Sequence, residues 1–133
     1  EAPMIFEDGH QKRDFVHAED VARAYLMALE SDKADGLALN LGSGDSVSVL
    51  EIAQTLAETL GKEIEPVITG KYRDGDIRHC FADISLIQQT LGWRPQYTFK
   101  NGVHTLLKWL LEQGEVEVSK DSFAELREMG LLK

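Results

Sequence analysis

Residues 6–22 read FEDGHQKRDFVHAEDVA, and this stretch decides the fold class that we predict for the chain. An apolar residue is followed by a polar turn, a basic pair, a short apolar run and the start of an amphipathic helix. Asp20 is a residue type that caps helices, and we predict the helix over residues 21–30 because apolar side chains recur there at helical spacing. A strand, a turn, a second strand and a helix in this order predict an α/β fold.

The same alternation of short strands and helices continues through the rest of the chain. Apolar runs between turn residues predict strands at 4–6, 15–17, 37–41, 64–68 and 80–82. Capping residues and helical spacing predict helices that begin near residues 48, 83, 100 and 122. A doubly wound sheet needs about five strand–helix units, and only about two could join one here. We therefore predict a mixed α/β chain with about five helices and without a Rossmann core.

Length, charge and cysteine content narrow the class of protein. The 133 residues amount to one domain or to a piece of a larger one. A net charge of −9 argues against nucleic acid or an anionic membrane as the main partner, although single arginines can still bind a phosphate. One cysteine, Cys80, excludes an internal disulfide and favours a cytoplasmic location. Because the chain starts at Glu1 and enters a strand at once, we expect further protein upstream.

Three stretches, matched in order and spacing, carry a resemblance to a known family. Residues 6–22 resemble the pattern G-x-Q-x-R-D-F-V-H-V-x-D-V-A, and residues 40–44 read NLGSG. Residues 73–95 contain R-D-G-D-I-R, A-D-I-S and L-G-W-R-P. Together they resemble the NAD-dependent nucleotide-sugar epimerases and dehydratases, which are extended short-chain dehydrogenases/reductases. The resemblance covers nearly the whole chain and implies the carboxy-terminal, substrate-binding part of such an enzyme.

The resemblance implies a binding site for a nucleoside-diphosphate sugar, in the first place a UDP-sugar. Arg13 and Arg73 would hold the pyrophosphate from two separate loops, since the arginine fork can pair bidentately with phosphate oxygens. Asp76 would accept hydrogen bonds from the ribose or position Arg73. The plainer alternatives are a surface ion pair between Arg13 and Asp14, and a turn aspartate at position 76.

Four further residues complete the candidate site by resemblance. Phe15 would pack near the nucleoside, and Phe6 and Gln11 would form a wall beside the base and ribose. Arg78 would either contact the ligand or pair with surface carboxylates.

Other conspicuous side chains are predicted to be structural. We expect His17 to be a satisfied core histidine, Cys80 a small buried side chain and Trp93 a packing anchor. Acidic pairs at 7–8 and 74–76 lack a histidine or cysteine at ligand spacing, so no metal site is predicted.

The family's cofactor and catalytic motifs are absent from the sequence. There is no G-x-x-G-x-x-G turn, and the residues four positions after the three tyrosines are Leu29, Asp76 and Asn101, where the family's Tyr-x-x-x-Lys would place lysine. NAD would therefore belong to the intact parent protein, and we expect neither bound cofactor nor catalysis from this chain alone.

These expectations leave several alternatives open. The parent could be an epimerase, which the R-x-G-D pattern resembles more, or a dehydratase. The chain itself could be a stand-alone nucleotide-binding module or a structural piece without a ligand. We predict that residues 1–114 form the substrate-binding portion, with elements that pack on a missing Rossmann domain, and that 115–133 form a linker and a helix. The helix at 21–29 and the strand at 37–41 would then expose apolar faces, so we expect self-association.

Overall fold

A computed structural model describes residues 2–113 and 122–132 of the chain. Its helices are α1 (Ala18–Leu29), α2 (Val49–Thr59), α3 (Ser85–Leu91), α4 (Phe99–Glu112) and α5 (Ser122–Glu128), with a 3₁₀ turn at Asp32–Ala34. Its strands, each of two residues, are β1 (Met4–Ile5), β2 (Lys12–Arg13), β3 (Val47–Ser48), β4 (Val67–Ile68) and β5 (His79–Cys80). The predicted α/β class with about five helices is confirmed. The boundary predicted after residue 114 and the linker that follows it lie outside the described residues.

The chain forms two compact units, each built from separate stretches of sequence. The first unit comprises residues 1–11, 48–78 and 103–133, and the second comprises residues 12–47 and 79–102.

The first unit contains a parallel strand pair and helix α2, and the start of this helix is set by local sequence. Met4 lies opposite Val67 and Ile5 opposite Ile68 in the β1–β4 pair. The helix start predicted near residue 48 is confirmed, and it is a capping box: Ser48 Oγ accepts from the Glu51 N–H, and the Glu51 carboxylate accepts from the Ser48 N–H at 2.8 Å.

In the second unit, β2 pairs in parallel with β5 beside a small apolar core. Lys12 lies opposite His79 and Arg13 opposite Cys80, and β3 is the other neighbour of β2 in this sheet. The core consists of four buried side chains, Ala24, Ile84, Ile87 and Trp93. Trp93 is completely buried and its indole N–H donates to the Asp20 carbonyl at 3.1 Å. The prediction that Trp93 anchors packing is confirmed.

The predicted helix cap at Asp20 is wrong. Helix α1 starts three residues earlier than expected, at Ala18, and His17 is its N-cap, with Nδ1 accepting from the Glu19 N–H at 3.3 Å. His17 is half-buried and stacks on Tyr97 with ring centroids 3.9 Å apart, so it is a capping residue and not a core histidine. His17 can cap the helix because its backbone is extended, which lets its Nδ1 atom accept a hydrogen bond from an N–H group of the first turn.

Asp20 is instead a buried carboxylate that joins α1 to the segment after α3. It is 1% exposed and accepts hydrogen bonds from the backbone N–H groups of Gln96 (2.9 Å) and Tyr97 (3.0 Å). Arg23, one turn along α1, donates to it at 2.6 Å and to the Arg94 carbonyl at 2.6 Å. The burial of the Asp20 carboxylate is therefore explained in part by hydrogen-bond donors that are far from it in the sequence.

Three further expectations from the sequence are wrong. Cys80 is exposed, because it lies in the edge strand β5 and not in the core. Residues 37–41 form no strand, since a strand requires backbone pairing on a neighbouring strand and this segment has none assigned within the described ranges. The strand expected at 15–17 occurs earlier, at Lys12–Arg13. Within residues 2–113 and 122–132, no helix has the length and apolar character needed to cross a bilayer.

Candidate functional site

Asp14 joins three motif segments of the second unit. Its Oδ1 accepts from the Ser43 N–H at 2.7 Å and its Oδ2 from the Ala82 N–H at 3.2 Å. A Cβ atom at Gly42 would overlap Asp14 Oδ2 and lie 2.7 Å from the Ala82 Cβ. Asp14 is therefore a hydrogen-bond acceptor for the backbone and fills the space left by the glycine. This role differs from the surface ion pair with Arg13 that was the plainer alternative from the sequence.

Arg13 lines an open cavity of about 430 Å³ in the second unit. Asp14, Asn40 and residues 80–83 line the same cavity. The half-buried Arg13 donates from Nη1 to the Lys12 carbonyl at 2.9 Å, which fixes one side of its guanidinium. The arrangement places a charged fork at a concave surface large enough for part of a small ligand.

Phe15 provides an exposed aromatic surface two residues beyond Arg13. Its side chain is 40% exposed and packs against Phe99 with ring centroids 5.2 Å apart. Contact with Phe99 limits the rotation of the ring, and the exposed part is available to a planar ligand.

In the first unit, residues 73–76 form a turn that brings an arginine and an aspartate together. The Asp76 N–H donates to the Arg73 carbonyl at 3.1 Å, and Gly75 has φ of +79°, which favours glycine at that position. Arg73 Nη2 lies 3.8 Å from Asp76 Oδ2, and both side chains are partly exposed. Asp76 Oδ1 also accepts from the Ile77 N–H at 2.9 Å. The turn therefore presents one cationic and one anionic group side by side.

Phe6 and Gln11 lie in the turn that follows β1. Phe6 is half-buried, and its carbonyl accepts from Gln11 Nε2 at 3.0 Å. Gln11 is only 7% exposed, and its Oε1 is buried without a hydrogen-bond partner among the described residues. Gln11 therefore shapes the turn from within.

Arg78 is engaged by two adjacent carboxylates of the same unit. Its Nη1 donates to Glu7 Oε2 at 2.5 Å and its Nη2 to Asp8 Oδ2 at 2.7 Å. The hydrogen bond from Arg78 lowers the pKa of Asp8 to about 2, and the same bonds raise the pKa of Arg78. Of the two alternatives kept open for Arg78, the ion pair is the one that the geometry supports.

The seven candidate residues fall into two groups. Arg73, Asp76, Arg78, Phe6 and Gln11 belong to the first unit, and Arg13 and Phe15 belong to the second. In the part of the chain that the structure describes, no group of three or more His, Cys, Asp or Glu side chains could hold a metal ion.

Comparisons with known proteins identify the family. A family model described as GDP-mannose 4,6 dehydratase matches residues 1–106. The dTDP-L-rhamnose 4-epimerase of Burkholderia thailandensis is 36% identical over 109 residues, which are 82% of this chain and 30% of that enzyme. The chain belongs to the NAD-dependent nucleotide-sugar epimerase and dehydratase family of extended short-chain dehydrogenases/reductases.

Two solved structures show the same fold. UDP-glucose 4-epimerase from Thermotoga maritima, in complex with UDP-glucose, has a TM-score of 0.79 at 32% identity, and the match covers 86% of this chain and 36% of that one. The Stenotrophomonas maltophila UDP-glucose-4-epimerase, with bound NAD and formylated UDP-arabinopyranose, has a TM-score of 0.76 at 33% identity, with 84% and 35% covered. The chain spans about a third of the length of these relatives.

Asp14, Glu7 and Asp8 shape the candidate site but were not predicted from the sequence. Asp14 could have been suspected because it adjoins Arg13 while a glycine-rich turn elsewhere needs a partner for its backbone N–H groups. The pairing of Glu7 and Asp8 with Arg78 joins residues about 70 positions apart, and no local pattern indicates it.

Proposed function

We propose that this chain binds the nucleoside-diphosphate part of the substrate in an NAD-dependent nucleotide-sugar epimerase. We further propose that the preferred substrates are UDP-sugars and that the enzyme is cytoplasmic. The observation that carries the proposal is the turn at 73–76, where a partly exposed guanidinium and a partly exposed carboxylate are fixed side by side. A guanidinium binds phosphate oxygens, and a carboxylate accepts hydrogen bonds from ribose hydroxyls. One short turn therefore offers groups complementary to both parts of a nucleoside diphosphate.

The second group of residues supports the same ligand class. Arg13 would bind the pyrophosphate from its cavity, and the exposed ring of Phe15 would pack against the nucleoside. Phe6 would contribute to the wall of the base site, with Gln11 behind it as the buried support of the Phe6 carbonyl. The names of the relatives and the ligands of the two solved epimerases are consistent with this assignment.

The glycine turn at residues 42–44 does not fit the pyrophosphate of NAD. The free space beside Gly42 is taken by Asp14 and Ala82, so this glycine turn serves protein packing. In the parent enzyme, NAD would supply the hydride chemistry at the sugar. The part assigned to this chain is to bind and orient the substrate.

Removal of either arginine is expected to weaken nucleotide binding by about 10- to 100-fold. A hydrogen bond to a charged group contributes about 1.5–3 kcal/mol, and tenfold in affinity corresponds to about 1.4 kcal/mol. Isothermal titration calorimetry would compare UDP, dTDP, GDP and UDP-glucose on the unsubstituted protein with Arg13→Ala and Arg73→Ala. Exposed Arg94 provides a matched control, since Arg94→Ala removes one positive charge without touching the candidate site.

The nucleotide series separates the candidate functions. Preference for UDP over dTDP supports a UDP-sugar parent, whereas the reverse order supports a parent like the Burkholderia enzyme. If both arginine variants bind as tightly as the Arg94→Ala control, the site assignment is wrong. No heat with any nucleotide identifies a structural piece without ligand affinity.

We also propose that the chain self-associates through the exposed apolar face of α1. Tyr25, Leu26 and Leu29 are 67%, 59% and 83% exposed, and a cavity of about 230 Å³ beside them is lined by Leu37, among other apolar residues. An uncovered apolar surface of this kind favours contact with a second copy.

Sedimentation velocity at micromolar concentration is expected to show dimers or larger species. Leu29→Glu should shift the distribution towards monomer, because it places a charge in the contact. Leu111→Glu is the matched control, since Leu111 is also highly exposed, at 75%, but lies on α4. A monodisperse monomer for the unsubstituted protein would contradict the proposal, as would equal shifts in the two variants.

A further inference from the structure

Glu7 is joined to the loop at residues 70–78 at three points. Its N–H donates to the Lys71 carbonyl at 2.7 Å, and its carbonyl accepts from the Gly70 N–H at 3.2 Å. Its Oε2 accepts from Nη1 of Arg78. Glu7 has φ of +51°, a left-handed conformation that favours glycine and persists elsewhere only where surrounding contacts enforce it. The three contacts explain how a glutamate is held in this conformation.

Arg78 closes the same junction from the loop. Its two terminal nitrogens donate to separate carboxylates, one on Glu7 and one on Asp8. Asp8 is itself fixed, because its other oxygen accepts from the His10 N–H at 3.0 Å. A planar fork across two oriented carboxylates forms a more specific link than an isolated surface ion pair.

The turn that receives Arg78 is anchored to the start of α2. The Leu50 N–H donates to the Gly9 carbonyl at 3.0 Å, and the Val49 N–H donates to the Gln11 carbonyl at 3.1 Å. Contacts from Arg78 therefore tie the loop to a well-supported part of the first unit.

The middle of the loop has a second attachment. The Asp74 N–H donates to the Leu131 carbonyl at 2.9 Å, and Arg73 forms an antiparallel bridge with Leu132. The Arg73–Asp76 turn is thus attached through its first two residues and is followed, two positions later, by Arg78.

We propose that Arg78 is a positioning residue, which bridges Glu7 and Asp8 and so holds the 70–78 loop in the conformation in which Arg73 and Asp76 meet the diphosphate. The inference rests on the function proposed above. It assigns Arg78 a role through its neighbours in place of the ligand contact expected from the resemblance.

Charge supports this role over a direct contact. The trio of Arg78, Glu7 and Asp8 carries one more negative than positive charge, so it does not attract a pyrophosphate. A phosphate at Arg78 would lie beside two carboxylates that are already within hydrogen-bond distance of the guanidinium and that would repel it. The lowered pKa of Asp8 keeps that residue ionised at neutral pH.

Hydrogen exchange without ligand tests the bridge itself. Amide exchange in residues 70–78 is expected to rise severalfold in Arg78→Ala and to the same extent in the double variant Glu7→Gln/Asp8→Asn. Arg78→Lys should restore part of the protection, because an ammonium group can still reach one carboxylate. Arg94→Ala should leave exchange in this loop unchanged. Unchanged exchange in both Arg78→Ala and the double variant would overturn the inference, whatever the nucleotide affinity.

Calorimetry with UDP tests the consequence for binding. Arg78→Ala and Glu7→Gln/Asp8→Asn are each expected to lower affinity by about fivefold to tenfold, and the triple variant by no more than either, because all three break one network. If the carboxylate variant binds UDP as well as or better than the unsubstituted protein while Arg78→Ala binds worse, Arg78 contacts the ligand and the inference is wrong. If the unsubstituted protein binds no UDP, the proposed function fails, and the exchange experiment alone decides whether Arg78 holds the loop.

Discussion

The Trp93→Ala variant is expected to lose about 3–5 kcal/mol of unfolding free energy, the largest effect of any single substitution that we predict. Trp93 is completely buried and packs with Ala24, Ile84 and Ile87 in the core of the second unit. Truncation would leave a cavity the size of an indole and would remove the hydrogen bond to the Asp20 carbonyl. Since whole domains are stable by about 5–15 kcal/mol, such a loss could unfold the second unit.

Urea unfolding followed by far-ultraviolet circular dichroism measures this loss, and the other tryptophan supplies the control. Trp109 is 54% exposed on α4, so Trp109→Ala should cost about 1 kcal/mol or less. Trp93→Phe keeps most of the apolar volume but removes the indole N–H together with the pyrrole part of the ring, so it should cost less than Trp93→Ala. Equal losses for Trp93→Ala and Trp109→Ala would contradict the assigned core.

The Asp20→Ala variant is expected to lose about 3 kcal/mol at neutral pH. Two backbone N–H groups, of Gln96 and Tyr97, and the Arg23 guanidinium would lose their acceptor, and a hydrogen bond to a charged group contributes about 1.5–3 kcal/mol. Asp35→Ala is the control, since Asp35 is exposed. Comparable stability of the two variants would show that the carboxylate does not hold the 96–97 segment to α1.

The cost of Asp20→Ala should also depend on pH with a definite sign. Burial alone would raise the pKa of Asp20, but the hydrogen bonds from Arg23, Gln96 and Tyr97 outweigh it and hold the pKa below its ordinary value. A depressed pKa stabilises the fold above the unfolded pKa of about 3.9, and this stabilisation is lost as pH falls through the folded value. The difference between the unsubstituted protein and Asp20→Ala should therefore be constant near neutral pH and shrink below about pH 4. A difference that grows on acidification would refute the assignment.

Features encoded within one turn of chain could be predicted from the sequence. The capping box at Ser48 and Glu51 needs only a spacing of three residues, and the structure has it. Gly92 is the left-handed C-cap of α3, a position that favours glycine. In both cases the interacting atoms are close in sequence, so the pattern contains the physical cause.

Features that depend on distant partners could not be predicted. Asp20 has the residue type of a cap, and only donors more than 70 positions away show that it is a buried acceptor. The segment at 37–41 has an apolar composition typical of a strand, yet pairing depends on a neighbour that composition cannot supply. The exposure of Cys80 follows from its place at a sheet edge, which hydrophobicity does not encode.

The candidate site likewise contains one part that local sequence predicts and one part that depends on distant residues. The turn at Arg73–Asp76 follows from Gly75 and could be expected locally. The pairing of Arg78 with Glu7 and Asp8 required the structure, because it depends on how one loop is placed against a turn about 70 residues earlier.

The contact between Asp14 and Gly42 has a consequence for how this chain can diverge. The aspartate occupies the volume that any side chain at position 42 would need, while it accepts from the N–H groups of Ser43 and Ala82. Neither position can therefore change alone. A larger residue at 42 requires both the loss of the Asp14 carboxylate and a shift of the Ala82 side chain, and loss of the carboxylate leaves two backbone N–H groups without their acceptor. Substitutions at positions 14 and 42 should therefore be correlated, so that both residues change together or both are retained.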